Sequence, residues 1–126
     1  MIHDYSKEWF PAMPVLEIRL GYPGESLSLG PLVGIVDTAA DGSLVPLDLI
    51  ERLDAPFVDD VSLRSQWGEW RRVHLFTVDI GIDSLRLPAI EIVGDDRGDE
   101  IILGRNVLNK LRLLLDGLAA TTHVME

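Results

Sequence analysis

The pattern of hydrophobic and polar positions is mostly that of β-strands. Residues 15–20 alternate apolar and charged side chains, a period typical of a strand that buries one face. Turn-forming glycine and proline residues follow, and we expect residues 26–29 to form the partner strand. Residues 31–36 then predict a short buried strand that runs directly into Asp37. The first third of the chain therefore indicates antiparallel pairing around a buried strand.

The same alternation of strand and turn continues to the end of the chain. Pro46 suits the start of a helix, and residues 47–53 have the helical pattern. A second short helix is expected over residues 105–110. The remaining predicted strands cover residues 44–45, 61–64, 69–80, 85–93 and 111–115. Residues 61–64 and 69–80 are expected to form a long hairpin that turns at Gly68. Residues 101–103 are an apolar run before the turn at Gly104. Short strands spaced by turns predict an all-β barrel or sandwich with a short helix near the C-terminus.

Length and composition limit the chemistry. With 126 residues the chain predicts one domain over 1–126, which excludes separate cofactor and substrate domains. It has no cysteine, so disulfides and thiolate chemistry are excluded. The three histidines, His3, His74 and His123, lack the spacing of a metal site. We therefore expect neither a metal nor an organic cofactor.

The charge argues against polyanionic partners. Lys and Arg number 11 against 21 Asp and Glu, a formal net charge of -10, which repels nucleic acid and anionic lipid surfaces. No apolar run approaches the roughly 18 residues that a membrane span requires. The first ten residues lack the apolar centre of a signal peptide, so the sequence predicts a cytoplasmic protein without nucleic-acid or membrane partners.

Two segments carry candidate chemistry. The first is Asp37-Thr38-Ala39-Ala40-Asp41, which places a carboxylate at the end of an apolar strand and a turn of small residues after it. The second is Leu103-Gly104-Arg105-Asn106, which follows two isoleucines. The first segment alone is a weak signal, because so short a pattern arises often by chance. The pair, in this order, is more specific.

Together these segments resemble those of the retropepsin-like aspartic proteases, in which an apolar strand leads into Asp-Thr/Ser-Gly and a later apolar-Gly-Arg-Asn/Asp segment precedes a helix. The resemblance extends from about residue 14 to residue 117 and implies a retropepsin-like closed barrel with a short C-terminal helix. The sequence departs from the family at Ala39, where glycine is usual. An added methyl group there affects the backbone dihedrals or the space left for substrate, which bears on activity more than on fold.

The resemblance implies an aspartic endopeptidase with Asp37 as the catalytic carboxylate, and Thr38, Ala39 and Ala40 supporting the catalytic loop. Hydrolysis by this chemistry requires one ionised and one protonated carboxyl group side by side. Because the chain has one such aspartate, the second must come from another copy, so the active species is expected to be a homodimer acting on a peptide or protein. Thr38 is expected to hydrogen-bond across that dimer.

The resemblance also implies roles for more distant residues. Asp41 would contact the substrate backbone and form an ion pair with Arg105. The hairpin around Trp67 and Gly68 would be the flap that closes over a peptide bound as an added strand.

Each assignment has a plainer alternative. Asp37 can simply cap a turn, and the Asp41–Arg105 pair can be purely structural. Trp67 and Trp70 can be packing residues or an exposed interaction patch. The whole chain can be a catalytically inactive peptide-binding or dimerisation module that keeps this fold, or an unrelated small β domain.

Overall fold

The computed structural model describes residues 1–65 and 67–126, which form two short helices and ten strands. The helices are α1 (Leu47–Leu53) and α2 (Arg105–Leu108). The strands are β1 (Ile2–Asp4), β2 (Val15–Gly21), β3 (Leu29–Val36), β4 (Leu44–Pro46), β5 (Phe57–Arg64), β6 (Trp70–Ile82), β7 (Leu85–Asp95), β8 (Ile101–Leu103), β9 (Arg112–Asp116) and β10 (Thr121–Met125). No helix among the described residues has the length and apolarity needed to cross a bilayer.

Six strands close into a barrel. Their order is β2-β3-β8-β4-β7-β6, and β2 pairs with β6 to complete the ring, while β5 lies outside on the free edge of β6. A separate three-stranded sheet, in the order β1-β10-β9, brings the two ends of the chain together. The expected all-β closed barrel with a short helix is confirmed.

The alternating pattern of β2 explains how the barrel fills its interior. Leu16, Ile18 and Leu20 are fully buried, whereas the intervening Glu17 and Arg19 are exposed. Each buried aliphatic side chain of this size contributes about 1.5–3 kcal/mol through removal from water. The period read from the sequence therefore places these three side chains in the core.

The pairing of β2 corrects one expectation. Its partner is β3, which begins at Leu29, with Ile18 opposite Leu32. Residues 26–28 instead form a local turn in which the Ser28 N–H donates to the Ser26 carbonyl oxygen at 2.9 Å. The predicted strand over residues 26–29 was therefore wrong, because the turn after β2 is longer than the glycines and proline suggested.

The second helix ends earlier than expected, and the strand predicted after it is present as β9. The helix covers Arg105–Leu108, and β9 and β10 follow it. The strands at the two ends, β1 and β10, were missed because each is short and finds its partner only across the whole length of the chain, Ile2 opposite His123. The chain therefore closes with a terminal sheet beside the barrel.

Candidate active site

Asp37 is held at the start of a tight turn. Its N–H donates to the Leu103 carbonyl oxygen at 3.1 Å, which continues the parallel pairing of β3 with β8 by one residue. Its Oδ1 accepts a hydrogen bond from the Ala39 N–H at 3.0 Å. Among the described residues no hydrogen bond to Oδ2 is found. One carboxylate oxygen therefore orients the group and the other is available for a further partner.

The first residue of α2, Arg105, forms hydrogen bonds to the main chain of this turn. The Arg105 N–H donates to the Ala40 carbonyl oxygen at 2.8 Å. The guanidinium Nη1 donates to the carbonyl oxygens of Thr38 at 2.9 Å and Ala39 at 3.1 Å. Arg105 thus satisfies three main-chain acceptors of the turn, which fixes its shape without contacting the Asp37 carboxylate.

The structure differs here from the expected ion pair. The ion pairs formed within residues 1–65 and 67–126 do not include one between Asp41 and Arg105. Instead the Asp41 carbonyl oxygen accepts the Asn106 N–H at 3.3 Å, and the Asp41 carboxylate is exposed. Carbonyl oxygens compete with the carboxylate for the guanidinium because the turn leaves them unpaired and within reach. Asp41 therefore belongs to the turn through its backbone.

Gly104 is required by the closeness of two loops. A Cβ atom at this position would lie 2.0 Å from the Gly42 carbonyl oxygen and 2.9 Å from that of Ala40. Both distances are too short for a carbon next to a main-chain oxygen. The glycine therefore lets the segment before α2 pack directly against the Asp37 turn, which explains why the two sequence segments occur together.

A buried polar network connects the same segments, and the sequence did not reveal it. Ser43 is 1% exposed, and its hydroxyl donates to Asn106 Oδ1 at 2.7 Å while accepting the Gly104 N–H at 2.9 Å. Asn106 Nδ2 in turn donates to the Glu91 carbonyl oxygen at 2.9 Å. The only available signal was a lone serine between a turn and an apolar strand. The network holds β8, α2 and β7 in register around the turn.

An open cleft of about 490 Å³ lies over the turn. Asp37, Ala39, Ala40 and Asp41 line it on one side. On the other side, at the end of β5, it is lined by Leu63, Arg64 and Ser65. Its described lining also includes Gly42, Leu44, Val93, Ile102 and Arg105. The Asp37 turn and the β5–β6 hairpin therefore face one another across a space open to solvent.

The tip of this hairpin carries two exposed tryptophans. Trp67 is 82% exposed, Trp70 is 65% exposed, and neither they nor Gly68 are among the cleft's described lining residues. The Arg64 guanidinium lies 5.8 Å from the centre of the Trp70 ring, within the range of a cation–π contact. The two tryptophans therefore form an exposed apolar surface at the hairpin tip in the single chain.

A charged cluster lies on the hairpin close to its tip. Arg71 on β6 contacts the carboxylates of Asp96 at 2.9 Å and Asp95 at 3.4 Å. Burial raises the pKa of Asp95, but the N–H groups of Arg97 and Gly98 and the nearby Arg71 guanidinium together hold that pKa below its ordinary value. Asp95 is therefore ionised at neutral pH and fixes one end of β6 to the end of β7.

Ala39 is compatible with the backbone of the turn. The described non-glycine residues with positive φ are Asp54, Asp83, Ala89 and Ala120, and Ala39 is not one of them. The methyl group was expected to affect either the backbone dihedrals or the space left for substrate. Because Ala39 does not have positive φ, its backbone is free of the left-handed strain that glycine would relieve. The residue lines the cleft, so the space available to a bound molecule remains the relevant effect.

The described histidine and acidic side chains do not cluster as metal ligands do. Among the described residues no group of three or more histidine or acidic side chains is arranged to hold a metal ion. The described polar side chains that line the cleft are those of Asp37, Asp41, Arg64, Ser65 and Arg105.

Solved structures with a similar fold include a retropepsin-like aspartic protease and two viral proteases. A retropepsin-like aspartic protease from Rickettsia conorii superposes with a TM-score of 0.67 at 13% identity, covering 98% of this chain and 88% of that one. The fold is retropepsin-like.

Two viral enzymes share it as well. The EIAV protease matches with a TM-score of 0.57 at 19% identity, over 86% of this chain and 93% of that one. The simian foamy virus protease matches with a TM-score of 0.53 at 16% identity, over 75% of this chain and 91% of that one. The sequence matches no protein-family model and no curated protein. The retropepsin-like fold of this chain is therefore evident from its structure, while its sequence identity to these proteins is low.

Proposed function

We propose that this chain is an aspartic endopeptidase that acts as a homodimer, with Asp37 of each subunit forming the catalytic pair. The observation that carries the proposal is the Asp37 carboxylate at the end of β3. It is fixed through Oδ1 by the Ala39 N–H at 3.0 Å, lines an open cleft, and lies on a turn that Arg105 and Gly104 brace from α2. The retropepsin-like fold supports the same function.

The chemistry requires two carboxyl groups that share one proton, as in the well-known aspartic proteases. The ionised Asp37 accepts a proton from water, whose oxygen attacks the carbon of the peptide carbonyl group. The protonated Asp37 of the other subunit donates its proton to the carbonyl oxygen. Collapse of the tetrahedral diol then breaks the C–N bond. The nitrogen takes the proton that the first Asp37 accepted from water, and a diol hydroxyl returns a proton to the second Asp37, giving a carboxylic acid and an amine.

The dimer follows from this requirement. A single Asp37 cannot be base and acid at the same time, so a two-fold axis beside the turn supplies the second group. Thr38 is exposed next to Asp37 and is the residue we assign to hydrogen bonding across that axis. The second subunit also encloses the cleft, which is open on one side in the single chain.

The substrate proposed is an extended peptide. It would bind as an added strand between the Asp37 turn and the hairpin, with Asp41 contacting its backbone and Trp67 and Gly68 closing over it as a flap. The end of β5 and the Asp37 turn both line the cleft, so the hairpin lies next to the space that a bound chain would occupy. The exposed Trp67 side chain would then be buried against the substrate or against the flap of the partner subunit.

The test compares Asp37→Asn with Asp54→Asn. Asp54 is an exposed residue at the end of α1 with φ 52°, a conformation that asparagine tolerates, so its substitution removes the same charge away from the cleft. We expect Asp37→Asn to lower the rate of peptide hydrolysis by about 10²–10⁴-fold and Asp54→Asn to leave it unchanged. Equal rates for wild type and Asp37→Asn would remove Asp37 from the mechanism.

Subunit mixing tests the shared site. At a fixed wild-type concentration, a threefold excess of Asp37→Asn protein should lower activity to about one quarter, because most wild-type subunits then pair with an inactive one. A monomeric enzyme would be unaffected by the added variant. Sedimentation equilibrium on the same samples measures the dimer fraction and shows whether subunits exchange.

A second candidate function is an inactive peptide-binding or dimerisation module. The observation that favours it is the Ala39 methyl-bearing residue in the lining of the cleft, where retropepsins usually carry glycine. Such a module captures peptides in the cleft without turnover. Calorimetric binding of a peptide that remains intact after prolonged incubation with the wild-type protein would support this function over hydrolysis.

A further inference from the structure

A second groove lies beside the cleft, between the N-terminal segment and the barrel. It holds about 520 Å³, within the range of about 300–1,000 Å³ typical of ligand pockets. Its apolar lining includes Trp9, Val33 and Ile35. Val33 is 58% exposed and Trp9 is 39% exposed, so two large apolar side chains face solvent there. The groove therefore offers apolar surface to an occupant.

The remainder of the groove is acidic. Glu8, Asp99 and Glu100 line it, and its described lining contains no lysine or arginine. None of the three carboxylates takes part in the ion pairs formed by the described residues. The whole chain carries a formal net charge of -10, which adds to the local negative potential. Charge complementarity therefore favours a positively charged occupant.

The groove and the cleft share the β3–β8 pair. Ile35 and Ile101 line the groove, whereas Asp37 and Ile102 line the cleft, and the parallel register sets Ile35 opposite Ile102. Ile35 precedes Asp37 by two residues, about 7 Å along an extended chain. An extended polypeptide rises about 3.3 Å per residue, so this separation corresponds to about two residues of a bound chain.

We propose that this groove binds a basic and apolar segment of the polypeptide that occupies the cleft. It thereby selects chains in which lysine or arginine lies next to a large apolar residue. The apolar side chain packs on Trp9 and Val33, and the cationic groups meet Glu8, Asp99 and Glu100. The claim that the occupant is a substrate rests on the proposed protease function. The claim that the groove binds such a segment is independent of that function.

Binding is measured on Asp37→Asn protein, so that the peptide is not cleaved. The probes are two peptides of identical apolar sequence, a leucine and a phenylalanine flanked by lysines in one and by glutamates in the other. We expect calorimetry to detect only the lysine peptide, with an affinity that falls at least about tenfold when salt is raised from low concentration to about 0.5 M.

Location is tested with matched triple variants in the same background. Glu8→Gln with Asp99→Asn and Glu100→Gln should weaken binding of the lysine peptide by about tenfold or more. The control changes three exposed acids whose side chains make no hydrogen bond within the described part of the chain, Glu17→Gln, Glu25→Gln and Asp54→Asn, and alters the net charge equally. Equal weakening by both triples would mean general attraction to an acidic protein and overturn the proposal.

A single substitution tests the apolar wall if the triple variant fails to fold. Val33→Lys places a cation on the exposed apolar surface of the groove, and Val58→Lys places the same group on exposed β5. Only Val33→Lys should weaken binding. Equal affinity of the two peptides, or dimerisation lost through Val33→Lys with no effect on peptide affinity, would assign the groove to another occupant and overturn the proposal.

The two proposals fail separately. If Asp37→Asn protein binds the lysine peptide through the groove but wild type never cleaves it, the protease function fails and the groove assignment holds. If wild type cleaves the lysine and glutamate peptides with equal kcat/KM, hydrolysis holds and the groove assignment fails.

Discussion

The Ser43 hydroxyl donates a hydrogen bond to Asn106 Oδ1 at 2.7 Å, across 63 residues of sequence. The same oxygen accepts the Gly104 N–H at 2.9 Å, so one buried hydroxyl satisfies two groups of the β8–α2 segment. Both groups lie directly behind the turn that carries Asp37. The stability of this region and the placement of the candidate catalytic carboxylate therefore depend on the same few polar atoms.

Replacing Ser43 by alanine should destabilise the protein by about 1–3 kcal/mol. The substitution removes the hydroxyl and leaves the Gly104 N–H and Asn106 Oδ1 buried without this partner, which costs their desolvation. Urea unfolding measures the effect. Ser26→Ala, at an exposed turn position, serves as the control and should change the free energy of unfolding by less than about 0.5 kcal/mol. A similarly small change for Ser43→Ala would show that the network carries little stability.

Gly104→Ala should be among the most damaging single substitutions, at about 3 kcal/mol or more. The new methyl group would meet the Gly42 carbonyl oxygen at 2.0 Å, and a main-chain oxygen held in a turn cannot give way as a flexible side chain would. Gly117→Ala is the matched control, because a Cβ atom there meets nothing within 4 Å. Thermal unfolding of both variants measures the difference. Equal melting temperatures would contradict the close approach of the two loops.

Ala39→Gly should separate stability from activity. Because Ala39 does not have positive φ, glycine gains nothing in the folded state and adds entropy to the unfolded chain, lowering stability by about 0.4–1 kcal/mol. Removal of the methyl group from the cleft lining should raise kcat/KM for peptide hydrolysis. Peptide cleavage and thermal unfolding of the same preparation test both effects. A variant with unchanged or lower kcat/KM would show that the methyl group does not limit substrate access.

Because of Asp79, we expect the free energy of unfolding to decrease as the pH is lowered. Burial raises the pKa of this carboxyl group. The N–H groups of Ala89 and Gly24 and the Arg86 guanidinium lower the pKa by more than burial raises it, so the pKa lies below its ordinary value. A carboxylate with a lower pKa in the folded state adds stability above its unfolded pKa of about 3.9. That contribution is lost as pH falls through the folded value.

Asp79→Asn tests this contribution. We expect it to cost about 1.5–3 kcal/mol at neutral pH, since it weakens hydrogen bonds to a charged group, and to cost progressively less below pH about 4. Unfolding in urea at several pH values measures the difference. Asp54→Asn, at an exposed residue, controls for the loss of one charge. A cost of Asp79→Asn that does not depend on pH would show that ionisation of Asp79 contributes nothing to stability.

The sequence by itself determined the local elements. The alternation in residues 15–20 predicts β2, and the apolar period after Pro46 predicts α1 over Leu47–Leu53, because both patterns depend on which side of one element faces the core. The small residues after Asp37 and the glycine at position 104 marked the two segments of the candidate site, since a turn and a close approach require small side chains.

Only the tertiary structure decided what those segments contact. Arg105 donates to main-chain oxygens of Thr38 and Ala39 rather than to the Asp41 carboxylate, and Ser43 bonds to Gly104 and Asn106. These partners lie more than 60 residues apart in the chain. Their choice depends on the parallel register of β3 with β8 and on which unpaired carbonyl oxygens come within reach. A local pattern encodes the shape of each segment, whereas long-range packing selects among several chemically equivalent partners.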